Sequence, residues 1–273
     1  MVIKPRLRQQ LIALSAKPTP EPDKPMNKAQ QSPLWAPTIR SAGRTDRGKV
    51  RLVNEDRLLA RPEAGLWAVA DGMGGHQAGD YAAQRLIDAL AALAIHQSAL
   101  SYLNATLDAI NAVNAMLFAE SSTNPVRRGM GTTFVALLAY DAHLAFIWAG
   151  DSRAYRWRNG QLEQLTTDHS LVQELIDRGD IGTHERQLHP KAHVITKAVG
   201  VFRELEVDKT FSMISPGDKF LICSDGLSNS VSDVVLAESL SGSTDVSHQA
   251  DLIMQRAMET DALDNISFIL LHA

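Results

Sequence analysis

Four apolar runs in this chain begin or end on an aspartate, and that recurrence restricts the possible fold more than any other feature. Leu66 to Ala70 leads into Asp71-Gly72, and Phe220 to Cys223 leads through Ser224 into Asp225-Gly226. His143 to Ala149 leads through Gly150 into Asp151, and Asp264-Asn265 precedes Ile266 to Leu271. Aspartate is disfavoured inside strands and favoured in turns, so each run reads as a strand with a carboxylate at its end. One such carboxylate is an ordinary turn residue. Several of them on one sheet system raise one another's pKa unless something neutralises them. The pattern calls for cations.

Arg51 with Asn54-Glu55-Asp56 adds a further acidic group, which alone reads as a solvated turn between strand-like segments. The run Asp71-Gly72-Met73-Gly74-Gly75-His76 sits between a strand-like and a helix-like segment. Glycine allows positive φ and close backbone approach, which suits either a tight strand–helix turn or a metal or phosphate site. Oxygen-only donors select hard cations such as Mg²⁺ and Mn²⁺. Two such ions roughly 3.5–4 Å apart can share a water and lower its pKa enough to give hydroxide near neutral pH. That nucleophile could attack phosphorus in line. Arg51 is the candidate for holding the phosphate, because a planar guanidinium donates two parallel hydrogen bonds.

The remaining patterning predicts an α+β fold. Strand-like runs occupy 52–60, 65–70, 131–140, 143–150, 153–158, 161–166, 218–223 and 265–271, and helical periodicity covers 77–95, 100–120, 170–178 and 246–260. Asn159-Gly160 is a two-residue hairpin signal and Asp141-Ala142 suggests a second tight connection, so neighbouring strands are antiparallel. Ser170 followed by Gln173 predicts a helix cap. Seven of the eleven prolines fall within residues 1–38, which predicts a flexible, Pro-rich tail followed by one domain over 39–273. The tail carries six basic and two acidic residues, so the rest of a chain of net charge −4 carries −8. An acidic body argues against nucleic acid as the main ligand. Cys223 is the only cysteine, excluding an intramolecular disulfide and a cysteine-rich metal site. No apolar run approaches the roughly 20 residues of a membrane span, and no signal-peptide core is present. A soluble cytoplasmic monomer is the expectation.

These residues resemble the metal-dependent protein phosphatases of the PP2C type, in their compact bacterial form. The likeness runs from about 40 to 271 through Val50-Arg51 with Asn54-Glu55-Asp56, Asp71 to His76, Met130-Gly131-Thr132-Thr133, Gly150-Asp151-Ser152-Arg153, Ser224-Asp225-Gly226 and Asp264-Asn265-Ile266-Ser267. The resemblance implies a four-layer αββα sandwich, two packed antiparallel sheets flanked by helices. It implies protein serine/threonine phosphatase activity with two Mn²⁺ or Mg²⁺ ions. Asp71 would bridge both ions, Asp225 and Asp264 would hold the first, and Glu55 with the Gly72 carbonyl the second. Asp56 would orient waters around them from behind, and Asp151 with Asp225 would support a third, weaker ion. Arg51 would take the substrate phosphate. Met130 to Thr133 looks like a conformational element, and 168–200 like a mobile flap beside the site. Implied partners are phosphorylated proteins and a cognate Ser/Thr kinase, with a faint likeness in Glu185 to Pro190 to phosphatases of type VI secretion clusters. One departure stands out. The animal enzymes carry a histidine, a proposed general acid, where this chain has Met73, and His76 does not inherit that place.

Rival chemistries fit less well. A cysteine phosphatase needs an arginine six residues after its cysteine, and Asn229 is there instead. An aspartyl-phosphate mechanism wants a second carboxylate at position 73, and no Gly-rich run ending in Gly-Lys-Ser/Thr is present. His189 and His193 lie four apart, but Pro190 favours a loop over a helical zinc pair. A pseudophosphatase acting as a scaffold is the non-enzyme alternative; lost carboxylates would mark it, and here all are present.

Overall fold

The computed structural model describes residues 39–74, 78–95, 98–124, 127–242 and 245–273. The expected flexible tail and His76 lie outside the described residues. Among the described residues, ten strands form two five-stranded antiparallel sheets. One has the order β1 (Arg40–Asp46), β10 (Ile266–His272), β9 (Lys219–Cys223), β6 (Arg153–Arg158), β7 (Gln161–Gln164). The other runs β2 (Asp56–Arg61), β3 (Leu66–Met73), β4 (Gly131–Tyr140), β5 (His143–Ala149), β8 (Asp208–Met213).

Central strands are apolar on both faces because each sheet is covered twice. In β3, Trp67 and Val69 point into the layer between the sheets, where they meet Val135, Phe146, Phe220 and Ile269. Their neighbours Leu66, Ala68 and Ala70 point the other way, against α1 (Ala78–Ala91) and α2 (Ala99–Thr123). This is the period-2 alternation of a strand. In the other sheet Leu221, Cys223, Phe268 and Leu270 face the side of α4 (Asp225–Ser230), α5 (Asp233–Ser241) and α6 (Val246–Met258), packing with Leu227, Leu236 and Ile253. The four expected layers are present. α3 (Leu171–Asp177) belongs to the 168–200 segment, and Ser170 caps it by accepting from the Gln173 N–H at 3.3 Å.

Both turns behave as expected, with positive φ at Asn159, Gly160 and Asp141. One strand boundary is corrected. The run from 52 is irregular up to Glu55, and β2 begins at Asp56. Leu52 and Val53 are exposed, so apolar composition there reports no buried strand face. β1 and β8 went unpredicted because each is an edge strand of alternating exposure with few apolar residues. The short α4 and α5 also lie outside the predicted helices.

Candidate functional site

Strand pairing brings the acidic positions to one end of the two sheets. Asp56 at the start of β2 sits opposite Asp71 on β3, and Asp71 sits opposite Thr133 on β4. In the other sheet Cys223 lies opposite both Phe268 and Arg153. Asp225 just beyond β9, Asp264 just before β10 and Asp151 just before β6 therefore gather at the same edge. Two glycines let the chain segments close on each other. A Cβ on Gly226 would lie 1.9 Å from the Asn265 carbonyl oxygen and 3.5 Å from the Asp264 Cβ. One on Gly72 would lie 2.8 Å from the Glu55 carbonyl oxygen and 2.2 Å from that of Gly79. The chain thus places Glu55 beside Gly72, and Asp225 beside Asp264.

The electrostatics report the same convergence. Burial, then the charges of Asp56, Asp225, Asp151 and Asp264, holds the Asp71 carboxyl well above the usual range. Asp151 is also well raised, by burial and then by Asp225 and Asp168. Asp225 is raised by burial and by Asp264, against a hydrogen bond from Asp71. Asp56 is pushed up to about 7 by burial, although Ser224 and Ser267 oppose the shift. Asp56, Asp71, Asp151 and Asp225, from four chain segments, raise one another or are raised by Asp264, which lies partly exposed beside them and paired with Arg51.

Hydrogen bonds hold the acidic residues from behind. The Ser224 hydroxyl donates to Asp56 Oδ2 at 2.8 Å and accepts from the Ser267 N–H at 3.1 Å. Asp56 Oδ1 is buried without a hydrogen-bond partner among the described residues. Asn265 clamps the loop that carries Arg51: its Oδ1 accepts from the Glu55 N–H at 2.8 Å, and its Nδ2 donates to the carbonyls of Arg47 and Val53 at 2.9 and 3.0 Å. Arg51 points at the acidic group, donating to Asp264 Oδ2 at 2.6 Å, with its side chain half exposed. The Thr132 hydroxyl donates to the Asp71 carbonyl at 2.8 Å, and Thr133 is hydrogen-bonded to Ser152 at 2.9 Å.

Donor chemistry and placement fit a hard-cation centre: oxygen donors only, shared burial, and a carboxylate oxygen, Asp56 Oδ1, with no partner. Among the described residues, no three acidic or imidazole side chains are drawn tight enough to form a finished metal cage. Asp264 is turned to Arg51 and Asp56 to Ser224. Thiol chemistry has no place here. Cys223 is fully buried, and burial pushes its thiol up to about 12.

A cleft of about 390 Å³ opens beside the carboxylates, with Asp151, Asp225 and Asp264 in its lining. The 168–200 segment supplies Ser170, Val172, Arg186 and His193 to its wall. That segment is tied down by a charge cluster around the buried Asp168: Arg153 donates to its two oxygens from Nε and Nη2 at 2.9 and 2.7 Å, and Arg186 adds a third bond at 2.7 Å. Its far end pairs with β4 through reciprocal bonds between Thr132 and Val199 at 3.0 and 2.9 Å. His189 and His193 lie in a loop, where the Lys191 N–H donates to the His189 ring. Sequence reasoning gave no role to Asn265, Ser224, Asp168 or Arg186. Only Ser224 and Asn265, each next to an aspartate at a strand end, carried a local signal.

A family model described as Protein phosphatase 2C matches residues 45–261. The serine/threonine protein phosphatase PstP of Mycobacterium tuberculosis is 38% identical over 231 residues, which is 85% of this chain and 44% of that protein. The chain thus spans under half the length of this relative. Among solved structures, PppA, described as a key regulatory component of T6SS in Pseudomonas aeruginosa, is 40% identical with a TM-score of 0.81, covering 87% of this chain and 98% of that one. The catalytic domain of PstP, solved in complex with two manganese ions, is 38% identical with a TM-score of 0.76, covering 86% of this chain and 97% of its own.

Proposed function

This chain belongs to the protein phosphatase 2C family, and from that premise we propose that it hydrolyses phosphoserine and phosphothreonine on proteins, using two Mn²⁺ or Mg²⁺ ions. The observation that carries the reading is the convergence of Asp71, Asp225, Asp264, Asp151 and Asp56 into one acidic group, with Asp56 buried behind it and the others at the edge of an open cleft. Asp71 is central to it and would serve both ions. Asp225 and Asp264 would complete one site, Glu55 and the Gly72 carbonyl the other, and Asp151 with Asp225 a third, weaker one. When bound, such ions supply positive charge to phosphoryl oxygens and lower the pKa of water.

The chain's own residues do the rest. The same carboxylates that repel one another when empty-handed give the group its affinity for divalent cations. Ser224 fixes the Asp56 carboxylate with one oxygen bonded and the other free to orient water. Arg51 holds Asp264 in this conformation. It would exchange that carboxylate for two oxygens of a substrate phosphate, and its half-exposed side chain leaves it room to swing. Asn265 sets the position of the loop that carries Arg51. The 168–200 wall shapes the approach of the polypeptide around the phosphorylated residue.

The likeness to PppA favours a finer reading, in which the chain opposes a Ser/Thr kinase of a type VI secretion system. An inactive scaffold is disfavoured, because every acidic position of the motif set is kept.

Release of phosphate from a phosphoserine peptide tests the proposal. Mn²⁺ should support turnover and excess EDTA should abolish it. Asp225→Asn should lower kcat by at least about a hundredfold while the far-UV spectrum stays native. Full activity in EDTA would overturn the two-ion reading. No cleavage with Mn²⁺ present would hand the case to the scaffold.

A further inference from the structure

Hydrolysis of a seryl or threonyl phosphate expels an alkoxide, so the leaving oxygen needs a proton as its bond to phosphorus breaks. Met73, directly after Asp71-Gly72, has a thioether with no proton to give. The two arginines on the cleft wall, Arg153 and Arg186, are engaged by Asp168 and do not release protons. The source must be sought elsewhere in the cleft.

Three histidines of the described region have their rings engaged, and of the seven described only His193 lines the cleft. The His169 ring accepts from the Gly150 N–H at 3.1 Å, faces Asp208 at 3.1 Å and stacks on Trp148. His272 is buried against Gln249 at 2.7 Å, and His189 accepts from Lys191. His193 differs from them. It lines the cleft together with Asp151, Asp225 and Asp264. It is exposed, and no hydrogen bond among the described residues fixes its ring. It lies close enough to Asp225 for its positive charge to favour that carboxylate. Its backbone is held while its ring is free: the Leu171 N–H donates to the Val194 carbonyl at 2.9 Å, the Val194 N–H to Lys191 at 3.2 Å, and Ile195 bridges to Ser170. A pinned loop therefore presents an unengaged imidazole to the acidic floor of the cleft. Imidazole is the side chain suited to giving and regaining a proton near neutral pH.

We propose that His193 is the proton donor to the leaving seryl or threonyl oxygen, an assignment that rests on the phosphatase reading above. Water oxygen forms a bond to phosphorus and loses a proton to solvent. The bond between phosphorus and the side-chain oxygen breaks, and its electron pair goes to that oxygen. The imidazolium proton of His193 passes to the same oxygen, giving a serine or threonine hydroxyl, inorganic phosphate and a neutral imidazole. Solvent reprotonates the ring for the next turnover. A donor on the flap ties proton delivery to the wall that surrounds the peptide, and leaves the acidic floor free for cations.

The test compares leaving groups. Full-length protein and His193→Gln are assayed with Mn²⁺ on a phosphoserine peptide and on 4-nitrophenyl phosphate, whose phenolate leaves without needing a proton. The variant should lose about a hundredfold in kcat on the peptide with KM little changed. Its turnover of 4-nitrophenyl phosphate should stay within about twofold of the parent. Calorimetric titration with Mn²⁺ should give the same affinity for both proteins. Parallel losses on the two substrates, or weakened Mn²⁺ binding, would overturn the assignment in favour of a metal-binding or structural part for His193. An unchanged kcat on the peptide would overturn it as well. If the parent cleaved neither substrate, the phosphatase reading would fall and take this inference with it. If the parent cleaved both and the variant matched it, the inference alone would fall.

Discussion

Gly226 shows how much a site can depend on an atom that is not there. Its α-carbon faces the Asn265 carbonyl so closely that a methyl group would sit 1.9 Å from the oxygen. The obstacle is backbone, which cannot rotate aside as a side chain can. Gly226→Ala must therefore push the Asp225 turn away from the Asp264 turn. Overpacking of this kind costs about 1–3 kcal/mol, and here the displacement falls on the two carboxylates proposed above to share one ion. The expected result is an unfolding free energy lowered by that amount in a urea melt, together with Mn²⁺ affinity reduced by at least about tenfold in a calorimetric titration. Native affinity in the variant would show that the two turns are not held by this contact. The sequence made the dipeptide Asp225-Gly226 visible and suggested close approach, but only the coordinates identify what approaches. Asn265 is a parallel case. Its neighbour Asp264 drew attention for its charge, while the three hydrogen bonds of the amide to the Arg51 loop link positions some two hundred residues apart, which no local pattern encodes.

The elements fall into two classes by how far their sequence announced them. β3, β4, β9 and β10 are covered on both faces, so their apolar runs are almost uninterrupted and were legible at once. β1 and β8 lie at sheet edges, and their mixed composition matches many loops. The 168–200 segment was legible as a charged, irregular stretch, yet its anchoring was not. That anchoring rests on Asp168, whose side chain is 4% exposed and which binds Arg153 and Arg186. The two arginines are unequal. Arg153 is itself mostly buried, and Asp168→Ala would strand its charge in the interior at a cost of about 3–5 kcal/mol. Arg186 is more exposed, and its loss leaves the paired Arg153–Asp168 contact intact. Arg186→Ala should cost no more than about 1 kcal/mol in a denaturant melt. Its effect should appear in recognition: a raised KM for phosphopeptide with the KM for 4-nitrophenyl phosphate little changed, because the small substrate does not use the flap wall. An equal change for both substrates would mean that Arg186 acts through the acidic floor instead.

At the scale of the whole molecule, a fold that gathers four desolvated carboxyls beside Asp264 gives up stability to do so, and pH should reveal it. Asp71, Asp151, Asp225 and Asp56 all have carboxyls raised above their ordinary range, first by burial and then by neighbouring carboxylates, Asp264 and Asp168 among them; Asp56 reaches about 7. The unfolded chain releases these protons near pH 4, while the folded chain retains them to higher pH. Between those limits the native state binds more protons, so the free energy of unfolding falls as pH rises. The favourable contribution is complete below the unfolded pKa and is lost as pH climbs through the folded one, which for Asp56 gives a window from about 4 to about 7. In EDTA, the melting temperature should therefore decline from pH 5.5 to pH 8, the reverse of what paired surface carboxylates would produce. Divalent cations neutralise the same group without protons. Mn²⁺ at a hundred times its Kd should add about 2.7 kcal/mol per site, or roughly 5–10 °C in a domain of this size. The increment should be larger at pH 8 than at pH 5.5, where protons compete for the same oxygens, and Mn²⁺ binding at pH 7 should release protons into the buffer. Calorimetric titrations in two buffers of different ionisation enthalpy count those protons, and melts with EDTA or Mn²⁺ measure the increments. A melting temperature independent of pH in EDTA, or an equal Mn²⁺ increment at both pH values, would show that the carboxyls do not share one buried group, and the two-ion mechanism would lose its structural basis.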